Sequence, residues 1–509
     1  MMALLAHLAD WVWLVPALPL CAVILIGSRT LLGRATGDMA EPLTASLASL
    51  AALGGLLLLL AIDGMALWRG DVPGHRILGI WFASGHWQGT VSFLLDGLSL
   101  SVSTLTALIG WLVVRFSANF LHREAGFHRF FIVLSLFLAG IQLVLLAGNG
   151  LLAFVGWEMC GIASFLLIGY AWQRPVATGN ALFAFITNRA GDAGFLLALG
   201  FAAAWLGSFE WPVLVTGTQI GMANMRLIAL GFVLAAMAKS AQLPFTPWIT
   251  RALEGPTPSS AIFYGAVMVH AGVYLLLRLE PLLLQVPDVM LGLLVVGVLT
   301  AAYAWLCGMV QTDVKSALVF ATVFQVALMF VEIGLGWTTL ATAHLCLHAA
   351  WRTWQFLLAP SWLVLTRGRP APPPAWLRHN QFLYTAAQQH FWLDKLGQTL
   401  LAEPTEAFAH DLRSFEEKFI DPTLGEPGHG QPIDVERPLI LVDGLPGRLL
   451  AAASRVLQRL EDRLLLRGRG SAAERLLRRL GHYLQTLEYL LEQPRYLMMA
   501  VMATFVVIL

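Results

Sequence analysis

The chain has 509 residues, of which 58% are hydrophobic and only 12% charged, with a mean hydropathy of +0.70. Soluble proteins carry about 25% charged residues, so this composition belongs in lipid. Lys and Arg number 32 against 31 Asp and Glu, a net charge of +1, which excludes the basic footprint of a nucleic-acid binder.

In chain order, apolar runs able to cross about 30 Å of hydrocarbon fall near 11–27, 43–62, 92–114, 130–147, 151–172, 179–206, 227–250, 258–279, 288–310, 314–335, 338–366 and 490–509. The predicted fold class is therefore an all-α polytopic membrane protein of about 12 transmembrane helices. MMALLAHLAD has no Lys or Arg before the first run, so Trp11 to Gly27 reads as a retained helix and not as a cleaved signal. Cys21, Cys160, Cys307 and Cys346 lie far apart in apolar runs, with neither zinc-ligand nor disulfide spacing, and read as packing residues.

The loops divide into two alternating sets. One holds Arg29, Arg34, Arg115, Arg123, Arg129, Arg174, Arg251, Lys315, Arg367, Arg369 and Arg378; the other holds only Arg69, Arg76, Arg226 and Arg278. Positive charge is retained on the cytoplasmic side, which predicts an outside N-terminus and a cytoplasmic stretch from 367 to about 489. That stretch opens on RGRPAPPPAW, a linker that cannot continue a helix. From Leu445 it reads as a cationic amphipathic helix, with Arg455, Arg459, Arg463 and Arg467 at i+4 spacing beside Leu457, Leu460, Leu464 and Leu465. Such a helix lies on the membrane surface or on partner subunits, or is an ordinary solvated connector.

A charge at the bilayer centre costs at least about 2.5–3.5 kcal/mol, and several lie within the spans. Glu158 is in GWEMCGIASFLLIGY, Arg189 and Asp192 in FITNRAGDAGF, Lys239 in AMAKSAQLPFTPW, Lys315 in VQTDVKSALVF, and His344, His348 and Arg352 in ATAHLCLHAAWRTWQF. Tyr264 and His270 lie in the span between Lys239 and Lys315. Arg189 and Asp192 share a helical face and can form a structural ion pair, whereas Glu158 and Lys239 have no local partner and suit proton transfer. Pro244, five residues after Lys239, breaks its helix and frees carbonyls that can hold water. His344 and His348 are one turn apart; a zinc site needs a third ligand, so a proton relay through imidazoles is the better reading. The chain contains no GxxxxGK[ST], CxxC or CxxCH, so no nucleotide, iron–sulfur or c-type haem site is expected in it. Any energy must come from a gradient or a partner.

In order, LLDGLSLSV, GWEMCGIASFLLIGY, NRAGD, AKSAQLPFTPW, GPTPSSA, AGVYLLLR and QTDVKSAL closely resemble the antiporter-like, proton-translocating subunit L of respiratory complex I and its Mrp relatives, over about residues 90–360. The resemblance implies that Glu158 is the family's essential glutamate, Lys239 the lysine of its broken helix, and His344 and His348 its central histidines. FWLDKL and the stretch from FIDP to LVDGLPGRLL look like the segment leading to the family's lateral helix. There are departures. The family continues with three more membrane helices where this chain runs into RGRPAPPPAW, so the second inverted repeat is truncated. Tyr264 stands for the family's histidine after GPTP, with His270 later, and Arg352 stands for its lysine. A guanidinium stays protonated and is a poor relay.

Shortened proteins of this kind resemble the DabB family, membrane partners of a DabA-like, zinc-containing, carbonic-anhydrase-like protein in bacterial inorganic-carbon accumulation. That implies a proton-conducting subunit without its own catalytic centre or cofactor, zinc being in the partner, in a bacterial inner membrane. A respiratory or hydrogenase pump subunit, a cation/proton antiporter and a scaffold are the alternatives. The implied organisation is N-terminal helices and an external loop (1–90), the conducting core (91–366), a cytoplasmic linker and docking segment (367–444), the lateral helix (445–489) and a last transmembrane helix (490–509).

Overall fold

A computed structural model describes residues 8–415, apart from 36, 86, 217–219, 267 and 366–371. The predicted lateral helix and the last span therefore lie outside the described residues. The chain divides into two units, Met1–Gln398 and Thr399–Leu509; the described part of the second holds the helix Glu403–Phe415.

The first unit is an all-α membrane bundle, with 10 helices among the described residues long and apolar enough to cross a bilayer. Its elements begin with α1 (Leu14–Leu31) and α2 (Glu41–Arg69), the latter ending at Gly70 with φ +68°, a conformation glycine adopts without cost. A hairpin follows, β1 (Gly74–Ser84) antiparallel to β2 (Trp87–Leu95), paired from Gly74 opposite Leu95 to Ser84 opposite Trp87 with register shifts between Ile77 and Gly79 and between Ile80 and Phe82. The sequence reading expected only a loop here. Alternation along GHRILGIWFAS is masked by its apolar residues on both faces, so period two is hard to see.

Next come α3 (Gly97–Phe120), α4 (Phe127–Leu146), α5 (Gly150–Ile168) and α6 (Pro175–Leu206). Asp96 and Ser99 form a reciprocal capping box at the start of α3, and the Asn149 side chain accepts the Leu152 N–H at the start of α5, which satisfies amides that lipid cannot. α4 is buried along most of its length. It meets α5 backbone to backbone, since a Cβ on Gly140 would lie 2.9 Å from the Gly156 carbonyl oxygen, the small-residue contact by which membrane helices associate.

α7 (Met222–Lys239) stops at Lys239 and resumes as α8 (Pro247–Arg251). The predicted span 227–250 is thus cut in two at Pro244, whose missing N–H cannot continue the ladder; the Leu243–Pro244 bond is cis. α9 covers Thr257–Arg278 and includes a π-helical turn, Ala261–Ala266. α10 (Pro287–Gly308), α11 (Val314–Gly334) and α12 (Thr338–Leu365) complete the bundle, followed by the short helices Ala375–His379 and Gln381–Gln388.

The connections fall on two faces. The hairpin face gathers the 147–149, 279–286 and 335–337 turns and the 207–216 segment: Gly148 N donates to Ser92 O, Gln285 Nε2 to Val215 O, and Thr338 Oγ1 to Glu280 Oε1. On the opposite, linker face, Arg174 pairs with Glu254 and Lys315 donates to Thr257.

Candidate functional site

Two clusters of ionisable side chains sit inside the bundle. The first joins α5, α6 and α7. Arg189 forms an ion pair with Glu158 from the neighbouring helix, and its Nη2 lies 2.7 Å from Asp192 Oδ2, one helical turn away on α6. Asp192 Oδ1 also accepts from Trp157 Nε1 at 2.6 Å. The expectation that Glu158 has no partner is corrected: the partner is 31 residues away in sequence and only the α5–α6 packing brings it near. Arg189 is therefore shared between two carboxylates and not paired with Asp192 alone.

Lys239 is 1% exposed, the last residue of α7. No described carboxylate is within ion-pair distance of it; its Nζ is 4.8 Å from the Trp157 ring centroid and 3.5 Å from the Trp157 carbonyl oxygen. Cation and ring face are attracted, which offsets part of the burial. Gly161 is a site residue that sequence reasoning missed. A Cβ there would lie 2.7 Å from Arg189 Nη2, so its lack of a side chain lets the guanidinium approach α5. The cluster then contains two carboxylates and two cations, a balanced set in which one transferred proton changes every neighbour's energy.

At the break, the expected water-holding carbonyls are engaged by side chains. Trp248 Nε1 donates to Ala238 O at 2.9 Å, and Gln242 Nε2 to Ser240 O at 3.0 Å. Leu243 N donates to Thr300 Oγ1 on α10 at 3.1 Å, and Ser240 Oγ to Val269 O on α9 at 2.7 Å. Polar side chains from the neighbours make the interruption tolerable in hydrocarbon.

The second cluster joins α9, α11 and α12. His270 Nε2 is 2.9 Å from His348 Nδ1, and Arg352 Nε donates to His348 Nε2 at 3.4 Å. His344 stands edge-on to His348, with ring centroids 6.2 Å apart. Its Nδ1 is 2.9 Å from Glu332 Oε1 and its Nε2 2.9 Å from Gln325 Oε1. Glu332 and Gln325 were not singled out from the sequence; Glu332 lies in an apolar span, and that charge was the available signal. The structure also places Tyr264 and Lys315 apart from the histidines. Tyr264 donates its hydroxyl hydrogen to Ile249 O of α8 at 2.7 Å and stacks on Phe356. Lys315, counted as a mid-span charge, is in the first turn of α11 on the linker face, with Nζ 2.9 Å from Thr257 Oγ1.

Two further polar groups lie on the hairpin face. Glu210 accepts hydrogen bonds from Thr90 and from Ser92 Oγ at 2.8 Å, and meets His75 Nε2 at 2.8 Å. It thereby fastens both strands to the α6–α7 connection. Asp96 pairs with Arg278 at the end of α9, and Arg278 Nη2 also reaches the Tyr274 hydroxyl at 2.9 Å. Burial pushes the Asp96 carboxyl up, but the Arg278 guanidinium and the Ser99 hydrogen bonds outweigh it and hold the group below the usual carboxylate range.

Comparison with known proteins follows the same outline. Residues 147–367 match the family described as NADH:quinone oxidoreductase/Mrp antiporter, transmembrane region, and residues 81–131 match the N-terminus of chain 5 of NADH-ubiquinone oxidoreductase (complex I). NADH-quinone oxidoreductase subunit L of Mycobacterium tuberculosis is 35% identical over 356 residues, which cover 68% of this chain and 54% of that protein. NADH-ubiquinone oxidoreductase chain 5 of Dugong dugon is 38% identical over 296 residues, 57% of this chain and 48% of that one. The chain thus spans about half the length of the curated relatives it matches. Among solved structures, the Mrp complex from Dietzia sp. has a chain that superimposes with a TM-score of 0.60 at 21% identity, covering 99% of this chain and 62% of that one. The membrane-bound sulfane sulfur reductase, an archaeal respiratory membrane complex, gives 0.58 at 21% identity, covering 70% and 57%. These two share the fold.

Proposed function

Because residues 81–131 and 147–367 belong to the antiporter-like family of complex I subunit L and Mrp membrane subunits, we propose that this chain conducts protons through a bacterial inner membrane, N-terminus outside, for an energy-coupled partner. The observation that carries the reading is the Glu158–Arg189–Asp192 group beside a buried Lys239 that lacks an ion-pair partner among the described residues. In low dielectric each of these charges depends on the others, which is what handing a proton between them requires. His344, His348, His270 and Arg352 form the next set of groups along the way, and the chain itself supplies no catalytic centre.

The partner we propose is a DabA-like, zinc-containing, carbonic-anhydrase-like protein, with proton entry driving hydration of carbon dioxide to bicarbonate. Two sequence features support it: the run from α12 straight into RGRPAPPPAW, and Arg352 in place of the family's lysine. The entry half keeps Glu158 and Lys239, and the exit is left to the linker region or a docked protein. The relatives' names favour a second reading, a proton-pumping subunit of a respiratory or hydrogenase complex. A carbonic-anhydrase-deficient host, rescued at ambient carbon dioxide by this chain and its partner, tests the first. Glu158→Gln or Lys239→Ala should abolish rescue with the protein still in the membrane, and an uncoupler should stop carbon uptake where collapse of a sodium gradient does not. Uptake that persists in uncoupled cells, or that follows sodium, sinks the proposal.

A further inference from the structure

The two nitrogens of His344 face two oxygens, Glu332 Oε1 and Gln325 Oε1, each at 2.9 Å. A neutral imidazole has one N–H to donate, so with Gln325 presenting its carbonyl oxygen and Glu332 ionised the ring is satisfied on both sides only when it carries both protons. The neighbouring histidines show the opposite arrangement. Arg352 has no acceptor and donates to His348 Nε2, so His348 keeps its single proton on Nδ1 and donates it to His270 Nε2. His270 then carries its proton on Nδ1, which is buried without a hydrogen-bond partner among the described residues. It lies one residue from Val269, whose carbonyl receives Ser240 at the break. The polarity thus runs from Arg352 through His348 to His270, with His344 standing beside it.

We propose that Glu332 and His344 form a proton-holding site, a carboxylate–imidazolium pair whose second proton is held by Glu332 acting as a positioning residue. Glu332 is the one described carboxylate in ion-pair contact with this cluster. The titratable or charged groups around the ring are His348 and Arg352 on its own helix, His270 on α9 and Glu332 on α11. Ionised Glu332 is the counter-charge of the imidazolium it touches, which a bound proton needs in hydrocarbon, while Arg352, eight residues farther along α12, lies against His348. Placement gives the site its direction. Glu332 lies two residues before the end of α11, and at 1.5 Å per residue His344, His348 and Arg352 lie about 9, 15 and 21 Å along α12 from the hairpin face. The pair is therefore the member of this cluster nearest that face, below the carboxylate Glu280 that meets Thr338 at the start of α12 and separate from Glu158 and Lys239.

The protonation assignment stands on the geometry; that the held proton is one in transit rests on the function proposed above. Nitrogen-15 histidine spectra of the full chain at pH 7 read it directly, because imidazolium and the two neutral tautomers give distinct shifts. The expected result is an imidazolium signal that disappears in His344→Gln, is lost on Glu332→Gln and returns in Glu332→Asp. A neutral His344 in the wild type, or an imidazolium that survives Glu332→Gln, overturns the assignment. Should Glu332→Gln not fold, the carbon-13 carboxyl shift of wild-type Glu332 decides. A carboxylate where His344 is an imidazolium supports the site, and a protonated carboxyl refutes it. A chain that shows the imidazolium yet passes no protons into vesicles with its partner present defeats the function proposed above and leaves the site standing.

Discussion

Replacing Arg189 with Met tests whether one guanidinium holds the first cluster together. The substitution keeps an unbranched side chain over Phe185, whose ring centroid is 4.6 Å from the guanidinium carbon, and removes the cation shared by Glu158 and Asp192. Breaking a buried ion pair by deleting one partner costs about 3–5 kcal/mol, because the other charge stays behind in low dielectric. Here the lower end applies. The Arg189 side chain is 32% exposed, and Asp192 keeps its hydrogen bond from Trp157. A loss of about 3 kcal/mol should follow, with Glu158 the group left worst off, since its Oε1 has no hydrogen-bond partner. Apparent Tm of the detergent-purified chain, followed by tryptophan fluorescence, is the assay. The decisive comparison is the double variant Arg189→Met, Glu158→Gln, in which one carboxylate, Asp192, and one cation, Lys239, remain. It should recover most of the loss, as neutral replacements of buried ion pairs do. If the single variant is as stable as the wild type, or the double variant is no better than the single, the shared-cation argument is wrong.

Other outcomes follow from single contacts. Asp96→Asn keeps a capping oxygen for Ser99 N but removes the charge from the Arg278 pair and should lower stability by about 1–3 kcal/mol. Because the folded carboxyl is held below its usual value, its contribution is whole above the unfolded value near 3.9 and is lost as pH falls through the lower folded one, so the deficit of the variant against wild type, measured from pH 3 to 7, should shrink toward acid; a pH-independent deficit contradicts this. Glu210→Ala should speed amide exchange across Gly74–Leu95 while leaving α4 and α5 protected, since the carboxylate bridges both strands to residue 210; unchanged exchange in the hairpin would count against the staple. Tyr264→Phe should cost about 1–3 kcal/mol by orphaning the Ile249 carbonyl yet leave proton conduction intact, as the phenol's one proton is committed to that carbonyl; loss of conduction in a folded variant would return Tyr264 to the proton path.

Much was legible in the sequence because lipid enforces a simple rule: a run of about 20 apolar residues must be a helix, since no water is present to satisfy its backbone. Hence the spans at 43–62, 130–147 and 151–172 reappear as α2, α4 and α5. The break after Lys239 was also legible, since Pro244 cannot donate the N–H that the ladder needs. The ionisable residues stood out for the same reason, by their cost. Pairing was not legible. Glu158 meets Arg189 across α5 and α6, His270 meets His348 across 78 residues, and His344 meets Glu332 across the α11–α12 connection; each contact depends on the rotation of two helices about their axes, which an apolar run does not encode because it is hydrophobic on all sides. The hairpin escaped for a related reason, its alternation hidden by apolar residues on both faces and its attachment supplied by Glu210 from a distant turn. Sequence alone determined which residues must be helical and which charges needed a reason to be there; packing decided which of those charges face one another, and so where a proton can rest.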